Sequence, residues 1–129
     1  MENKKRIAVY LDHFSANIIE YQNTAQVLKS IKSEFNHTEK LKILQKGESH
    51  LHQKEQHLQL QFYKEICNHS IGYATVILFG PTTAKSELKT IISHDNRFSD
   101  VEVSLNITDK LDFKEQLAFV NDFFYLDSK

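Results

Sequence analysis

The first third of the chain contains three short segments whose pattern of apolar residues is typical of β-strands. Residues 6–11 form an apolar run with Val and Ile, residues 16–21 a run rich in isoleucine, and residues 26–33 a third strand-like segment. Lys29 and Lys32 interrupt the third segment, as is common in a strand at the edge of a sheet. Short polar turns join the segments, so the pattern predicts an antiparallel meander with the third strand at an edge.

The second half of the chain alternates helical and strand-like patterns. Apolar residues four positions apart predict a helix from about Gln53 to Asn68. Val76–Phe79 is short and uniformly apolar, which is typical of a central strand covered on both faces. The only proline, Pro81, ends this strand, and Thr82 or Thr83 can cap the amphipathic helix that follows.

The last segments complete the pattern. Residues 101–107 alternate apolar and polar positions, which predicts a strand with one wet face or one open edge. Asp109 or Asp112 can cap a final helix. The residues expected to face the core from that helix are Phe113, Leu117, Val120 and Phe124.

The predicted order of elements is βββαβαβα. Short turns make the first three strands antiparallel, and crossover helices make the later strands parallel to the first. The sequence therefore predicts an α/β protein with a mixed five-stranded sheet, packed helices and an RNase H-like topology. We expect one domain over residues 1–129, with a mobile, mildly basic loop at about 36–52, since a loop this long in a compact domain is usually functional or disordered.

Composition narrows the classes of function. A chain of 129 residues with a net charge of −1 has no global basic field, so contact with nucleic acid would require a local patch. No apolar run is long enough to cross a membrane, and no secretory signal is visible. The single cysteine, Cys67, cannot form an internal disulfide, which fits a reducing cytoplasm, and we interpret it as a small core or boundary residue. Without a Gly-rich phosphate loop or an activated nucleophile, we predict neither a cofactor nor nucleophilic catalysis.

Two segments carry side chains suited to binding. The segment around the predicted loop could contact RNA through imidazoles and through lysines that meet phosphates. The Gly-Pro turn before a helix N-terminus could hold an anion or an RNA phosphate, although most such turns bind nothing. The RNA-contact candidates are Lys42, Lys46, His50, His52, Lys54, Thr82, Thr83 and Lys85.

The same histidines leave two alternatives open. His50 and His52 could bind a metal ion together with Asp12 and His13, if the fold brings the loop to the turn after the first strand. Otherwise the loop is a solvated polar segment. Asp12 would then accept hydrogen bonds from the backbone of its own hairpin turn, the interpretation that we favour.

Three motifs in order resemble a known family. Residues 11–16 read Leu-Asp-His-Phe-Ser-Ala, residues 50–54 read His-Leu-His-Gln-Lys, and residues 80–88 read Gly-Pro-Thr-Thr-Ala-Lys-Ser-Glu-Leu. They resemble small bacterial proteins, often labelled translational machinery proteins, that are related to the middle domain of archaeal and eukaryotic peptide-chain release factors and of Pelota. Gln53 replaces a histidine and Thr82 a glycine of the family pattern, and residues 109–111 read Asp-Lys-Leu where the family tends to have Asp-His-Pro.

The resemblance implies a role in translation without peptide release. Release factors carry a Gly-Gly-Gln tripeptide in the loop before the first helix, and this chain has three glycines, of which none are adjacent. The resemblance implies a cytoplasmic protein that is not an enzyme and has the ribosome or a structured RNA as its partner. The alternatives are a metal-dependent nuclease and an interaction module that forms a homo-oligomer through an exposed strand edge.

Overall fold

The computed structural model describes residues 5–33 and 48–127, and for residues 48–52 and 126–127 it describes the backbone alone. These residues form five strands and three α-helices, with a short 3-10 helix at Asn96–Phe98. In chain order the elements are β1 Arg6–Leu11, β2 Ser15–Tyr21, β3 Ala25–Lys32, α1 Glu48–His69, β4 Thr75–Gly80, α2 Ala84–Ser93, β5 Glu102–Ile107 and α3 Phe113–Asp127.

The sheet has the predicted mixed topology. Its strand order is β3-β2-β1-β4-β5, with β1 antiparallel to β2, β2 antiparallel to β3, and β4 parallel to both β1 and β5. The strand that contains Lys29 and Lys32 lies at one edge and exposes both side chains. The alternating strand β5 forms the other edge, so the α/β class and both edge strands are confirmed.

Helices cover the sheet on both faces, because β1 and β4 send buried side chains in both directions. Ile7, Val9 and Leu11 join α1 and α2 in one cluster, whereas Ala8 joins Phe124 of α3 on the other face. Val76–Phe79 is fully buried in the interior of the sheet, as predicted. Cys67 is 1% exposed within the first cluster, which confirms its interpretation as a core residue.

Helix α1 begins earlier than the sequence indicated. It starts at Glu48 rather than Gln53, so residues 48–52, which we assigned to the loop, are helical. These residues lack the regular apolar spacing that marks the rest of α1, and that spacing was the signal used for its start. The remainder of the predicted loop, up to residue 47, lies outside the described residues.

The prediction that Phe113 faces the core is wrong, since the side chain is 54% exposed. Gln116 takes the first place on the buried stripe of α3, where its amide donates to the Leu111 carbonyl and accepts from Asn17. Asp112 caps the helix, because its carboxylate accepts from the Glu115 amide while Glu115 accepts from Asp112. The reciprocal cap places Phe113 at the first helical position, ahead of the buried stripe.

Within the described residues, the longest apolar stretches of the helices fall short of what crossing a membrane requires.

Candidate functional site

The carboxyl ends of β1, β4 and β5 meet at one edge of the sheet, because these three strands are parallel. Asp12 and His13 follow β1 there, and the Gly-Pro turn follows β4. Ligands of open α/β sheets usually bind at this edge, outside the carboxyl ends of the strands. We therefore take the edge as the candidate site and call it the carboxyl edge.

Gly80 allows the two turns to approach each other closely. Its φ is +146°, and a Cβ atom at this position would lie 2.4 Å from the Leu11 carbonyl oxygen. Its own carbonyl accepts a hydrogen bond from the backbone of Thr108 at 3.2 Å. Because only glycine lacks a Cβ, this residue fixes the spacing of the carboxyl edge.

Asp12 holds the hairpin between β1 and β2. Its Oδ1 accepts hydrogen bonds from the backbone amides of Phe14 at 2.7 Å and Ser15 at 2.8 Å. This confirms the interpretation of Asp12 as the cap of its own turn. Within the described part of the chain, no three His, Cys, Asp or Glu side chains lie close enough to hold a metal ion. The side chains of His50 and His52, the other residues of the metal hypothesis, are not described.

Glu87 connects three elements at the carboxyl edge. Its Oε2 lies 3.1 Å from Nε2 of His13 on the hairpin, and its Oε1 accepts from the Tyr63 hydroxyl of α1 at 2.7 Å. Thr83, directly before α2, donates to Oε2 at 3.3 Å. We call Glu87, His13, Tyr63 and Thr83 the Glu87 network.

The electrostatics of the network favour an ionised Glu87. Partial burial acts to raise the pKa of Glu87, but hydrogen bonds from Tyr63 and His13 and the charge of His13 hold that pKa below its ordinary value. Burial, followed by the hydrogen bond to Glu87 and its charge, raises the pKa of Tyr63, so the phenol stays protonated and donates. The network therefore pairs a carboxylate with donors from each neighbouring element.

Sequence reasoning missed this network. Its one local signal is the spacing of Thr83 and Glu87, which stand four residues apart across the first turn of α2. Tyr63 lies 24 residues and His13 74 residues from Glu87 along the chain. His13 and Glu87 both lie in motifs of the family resemblance, but nothing in the sequence indicates that their side chains meet or that Tyr63 joins them.

The predicted anion-binding groups at the start of α2 make bonds within the protein. Thr83 is the N-cap of α2, but its side chain makes no capping bond to the helix backbone, whereas Thr82 accepts from the Ala84 amide at 3.2 Å. Lys85 is buried, and its Nζ donates to the Thr82 carbonyl. Glu87 adds a carboxylate in the first turn, where it interacts favourably with the helix dipole and opposes a second anion.

Helix α1 carries the other predicted residues past the carboxyl edge. Gln59 donates to the His13 carbonyl at 3.2 Å, whereas the chain after α1 returns to the other end of β1, where Ala74 bonds Lys5. The residues before Gln59 therefore extend beyond the hairpin, by roughly 16 Å for a helix that begins at residue 48.

Of the predicted RNA-contact residues on this part of α1, Lys54 is exposed there. For His50 and His52 only the helical backbone is described, and Lys42 and Lys46 lie outside the described residues. The structure thus places the exposed side chain of Lys54 beyond the hairpin. The other predicted RNA contacts of this segment stay predictions.

Comparisons with solved structures reveal similar folds. The chain resembles the Pelota protein of Thermoplasma acidophilum (TM-score 0.60, 13% identity) and Pelota of Archaeoglobus fulgidus (TM-score 0.60, 9% identity). It also resembles an archaeal translation termination factor, aRF1 (TM-score 0.54, 13% identity). Neither a protein-family model nor a curated protein matches the sequence.

The similarity covers nearly all of this chain and a part of each neighbour. The aligned regions span 91%, 94% and 98% of this chain, but 32%, 32% and 41% of the two Pelota chains and aRF1. The chain thus corresponds to about a third of the length of Pelota. At this level of identity, the comparisons establish a shared fold for that part.

Proposed function

We propose that this protein is a non-hydrolytic component of the translation machinery that binds the ribosome or another structured RNA in the cytoplasm. The observation that carries the proposal is the shared fold, which covers 98% of this chain in a protein named as a translation termination factor. The order of the three sequence motifs supports the same assignment. Because one fold can serve many functions, the proposal depends on a direct binding test.

The non-hydrolytic part of the proposal rests on the sequence. Gly47, Gly72 and Gly80 are the glycines of the chain, and none of them is followed by Gly-Gln. Gly80 also has a structural role, since it allows the close approach to Leu11. The chain therefore lacks the Gly-Gly-Gln tripeptide, the motif that the release factors of the family it resembles carry for peptide release.

The binding surface that we propose lies at the start of α1 and on the adjoining hairpin. Lys54 is exposed on α1, and Phe14, at the tip of the hairpin, is 53% exposed. Lysines can meet RNA phosphates, and an exposed aromatic ring can stack on an unpaired base. His50, His52, Lys42 and Lys46 stay predicted contacts with the same RNA, while Thr82, Thr83 and Lys85 support the proposed surface through the turn that they stabilise.

Co-sedimentation with purified ribosomes at low and moderate salt tests the proposal. We expect the native protein to pellet with ribosomes at low salt and to be released as salt rises, because phosphate contacts depend on ionic strength. The triple variant His50→Ala, His52→Ala, Lys54→Ala should bind roughly tenfold more weakly. Size-exclusion chromatography of the same sample would show whether the protein forms a homo-oligomer.

A double variant, Lys29→Ala with Lys114→Ala, is the matched control. Both lysines are exposed, and they lie on the edge strand β3 and on α3, outside α1 and outside the hairpin between β1 and β2. This variant removes more positive charge than the triple variant does, yet it should sediment like the native protein. Failure of the native protein to sediment at low salt would refute ribosome binding, and equal losses in both variants would refute the proposed surface.

A further inference from the structure

A groove of about 580 Å³ opens near the other end of α1, far from the hairpin. Lys64 and Asn68 of α1 form one wall, and Asp95 and Arg97, in the segment after α2, form the other. Between the two walls Ile91 contributes apolar surface, and the buried Cys67 also borders the groove. The volume lies within the range of small-molecule sites, which combine an apolar lining with a few fixed polar groups.

Arg97 is held in place by its neighbours. Its Nε and Nη2 donate to the two carboxylate oxygens of Asp95 at 3.0 and 2.7 Å, and its Nη1 donates to Asn68 Oδ1 at 3.2 Å. A guanidinium group carries five N–H bonds, and these contacts engage three of them. One N–H on each terminal nitrogen is therefore left without a partner among the described residues.

The charges around the groove favour an anion. Lys64 and Arg97 contribute two positive charges and Asp95 one negative charge, whereas the whole chain has a net charge of −1. Burial raises the pKa of the Cys67 thiol to about 11, so this side chain adds no charge near neutral pH. His94 also lines the groove.

We propose that this groove binds the phosphate group of a nucleotide, with Arg97 and Lys64 as its ligands. A guanidinium with fixed orientation suits the planar, paired recognition of phosphate oxygens, and Lys64 adds a charge from the opposite wall. The apolar surface of Ile91 would accommodate the sugar or the base. This goes beyond the proposed function, since the groove lies at the opposite end of α1 from Lys54 and requires no ribosome.

An NMR titration of the ¹⁵N-labelled protein tests the proposal without ribosomes. The probes are inorganic phosphate, adenosine 5′-monophosphate and a short single-stranded oligoadenylate RNA, each added to millimolar concentration. We expect saturable shifts of the amide signals of residues 64–68 and 94–97 with the nucleotide and the RNA, and weaker shifts with phosphate. Similar affinities for nucleotide and RNA would identify a mononucleotide site, and much tighter RNA binding would identify a contact with an RNA strand.

Three variants separate recognition from general charge. Lys64→Gln should weaken nucleotide binding roughly tenfold. Arg97→Lys keeps the charge but loses the paired donors, so we expect a similar loss while the circular dichroism spectrum stays native. Lys114→Gln removes an exposed charge from α3, on the other face of the sheet, and should bind like the native protein.

Several results would overturn the proposal. The groove is not a nucleotide site if none of the three probes shifts the signals of residues 64–68 and 94–97. The same conclusion follows if shifts occur only elsewhere, or if Lys64→Gln and Lys114→Gln bind equally well. These outcomes are distinct from the sedimentation result, because a failure of ribosome binding leaves the titration unaffected.

Discussion

The polar side chains near the two ends of α1 differ in how far they form hydrogen bonds with one another. At the carboxyl edge, donors and acceptors satisfy one another: Asp12 binds its own turn, and Glu87 binds His13, Tyr63 and Thr83. In the groove at the other end, Arg97 binds Asp95 and Asn68 but keeps two N–H groups without a partner among the described residues, and Lys64 makes no described bond. A polar network whose members bind each other stabilises a fold, whereas oriented donors without partners are suited to a ligand.

The largest effect that we predict on stability is at the carboxyl edge. Gly80→Ala would place a Cβ atom 2.4 Å from the Leu11 carbonyl oxygen at a φ of +146°. We expect a loss of about 2–4 kcal/mol in the free energy of unfolding, because steric overlap adds to backbone strain. Urea unfolding followed by circular dichroism would measure it.

Gly72→Ala is the matched control for this substitution. Gly72 has a φ of +94°, but an added Cβ would meet nothing within 4 Å. We therefore expect a loss of about 1 kcal/mol from backbone strain alone. Equal losses at the two glycines would contradict the view that close contact between the β1 and β4 turns determines the structure of this edge.

An intermediate effect should appear in the pH dependence of stability. The pKa of Glu87 is lowered in the folded protein, so its contribution is present above the unfolded pKa and is lost as pH falls through the folded value. Solvent screens the Glu87 carboxylate, whose side chain is 47% exposed, so Glu87→Gln should cost at most about 1 kcal/mol at pH 7 and much less at pH 3. Urea midpoints of the native protein and the Glu87→Gln variant, measured between pH 7 and pH 3, should become more similar as the pH falls. Parallel curves would mean that the ionised form of Glu87 does not stabilise the fold.

The smallest effect is expected in the groove. Lys64 is exposed and has no hydrogen bond or ion pair among the described contacts, so Lys64→Gln should change the free energy of unfolding by less than about 0.5 kcal/mol. The same urea experiment measures this change. A larger loss would show that Lys64 stabilises the fold, and the contrast between the two ends of α1 would then no longer hold.

Local patterns predicted the parts of the fold that depend on neighbouring residues. The apolar run Val76–Phe79 and the Gly-Pro turn indicated a buried strand and a helix start, and both are present. The start of α1 was misplaced because residues 48–52 lack apolar periodicity. Phe113 fits the apolar pattern of α3, yet Gln116 is the buried residue at the start of this helix because it forms hydrogen bonds with Asn17 and Leu111. A hydrophobic pattern does not reveal such bonds.

The candidate sites were less predictable because they join distant positions. Asp12 was identified correctly as a turn cap, since its partners lie two and three residues away. Arg97 and Asn68, in contrast, are 29 residues apart, and nothing in either segment alone indicates that they meet. The sequence shows which polar side chains could bind a ligand. The three-dimensional structure shows which of them already form hydrogen bonds within the protein.

The central position of β1 has a consequence for folding. Its antiparallel partner β2 follows after a short turn, but its parallel partner β4 is distant in the chain, with Arg6 paired to Thr75. At roughly 5–20 residues per second, synthesis leaves that side of β1 without its partner for seconds. Until β4 emerges, the nascent meander has an open apolar strand edge, the kind of surface that promotes intermolecular pairing.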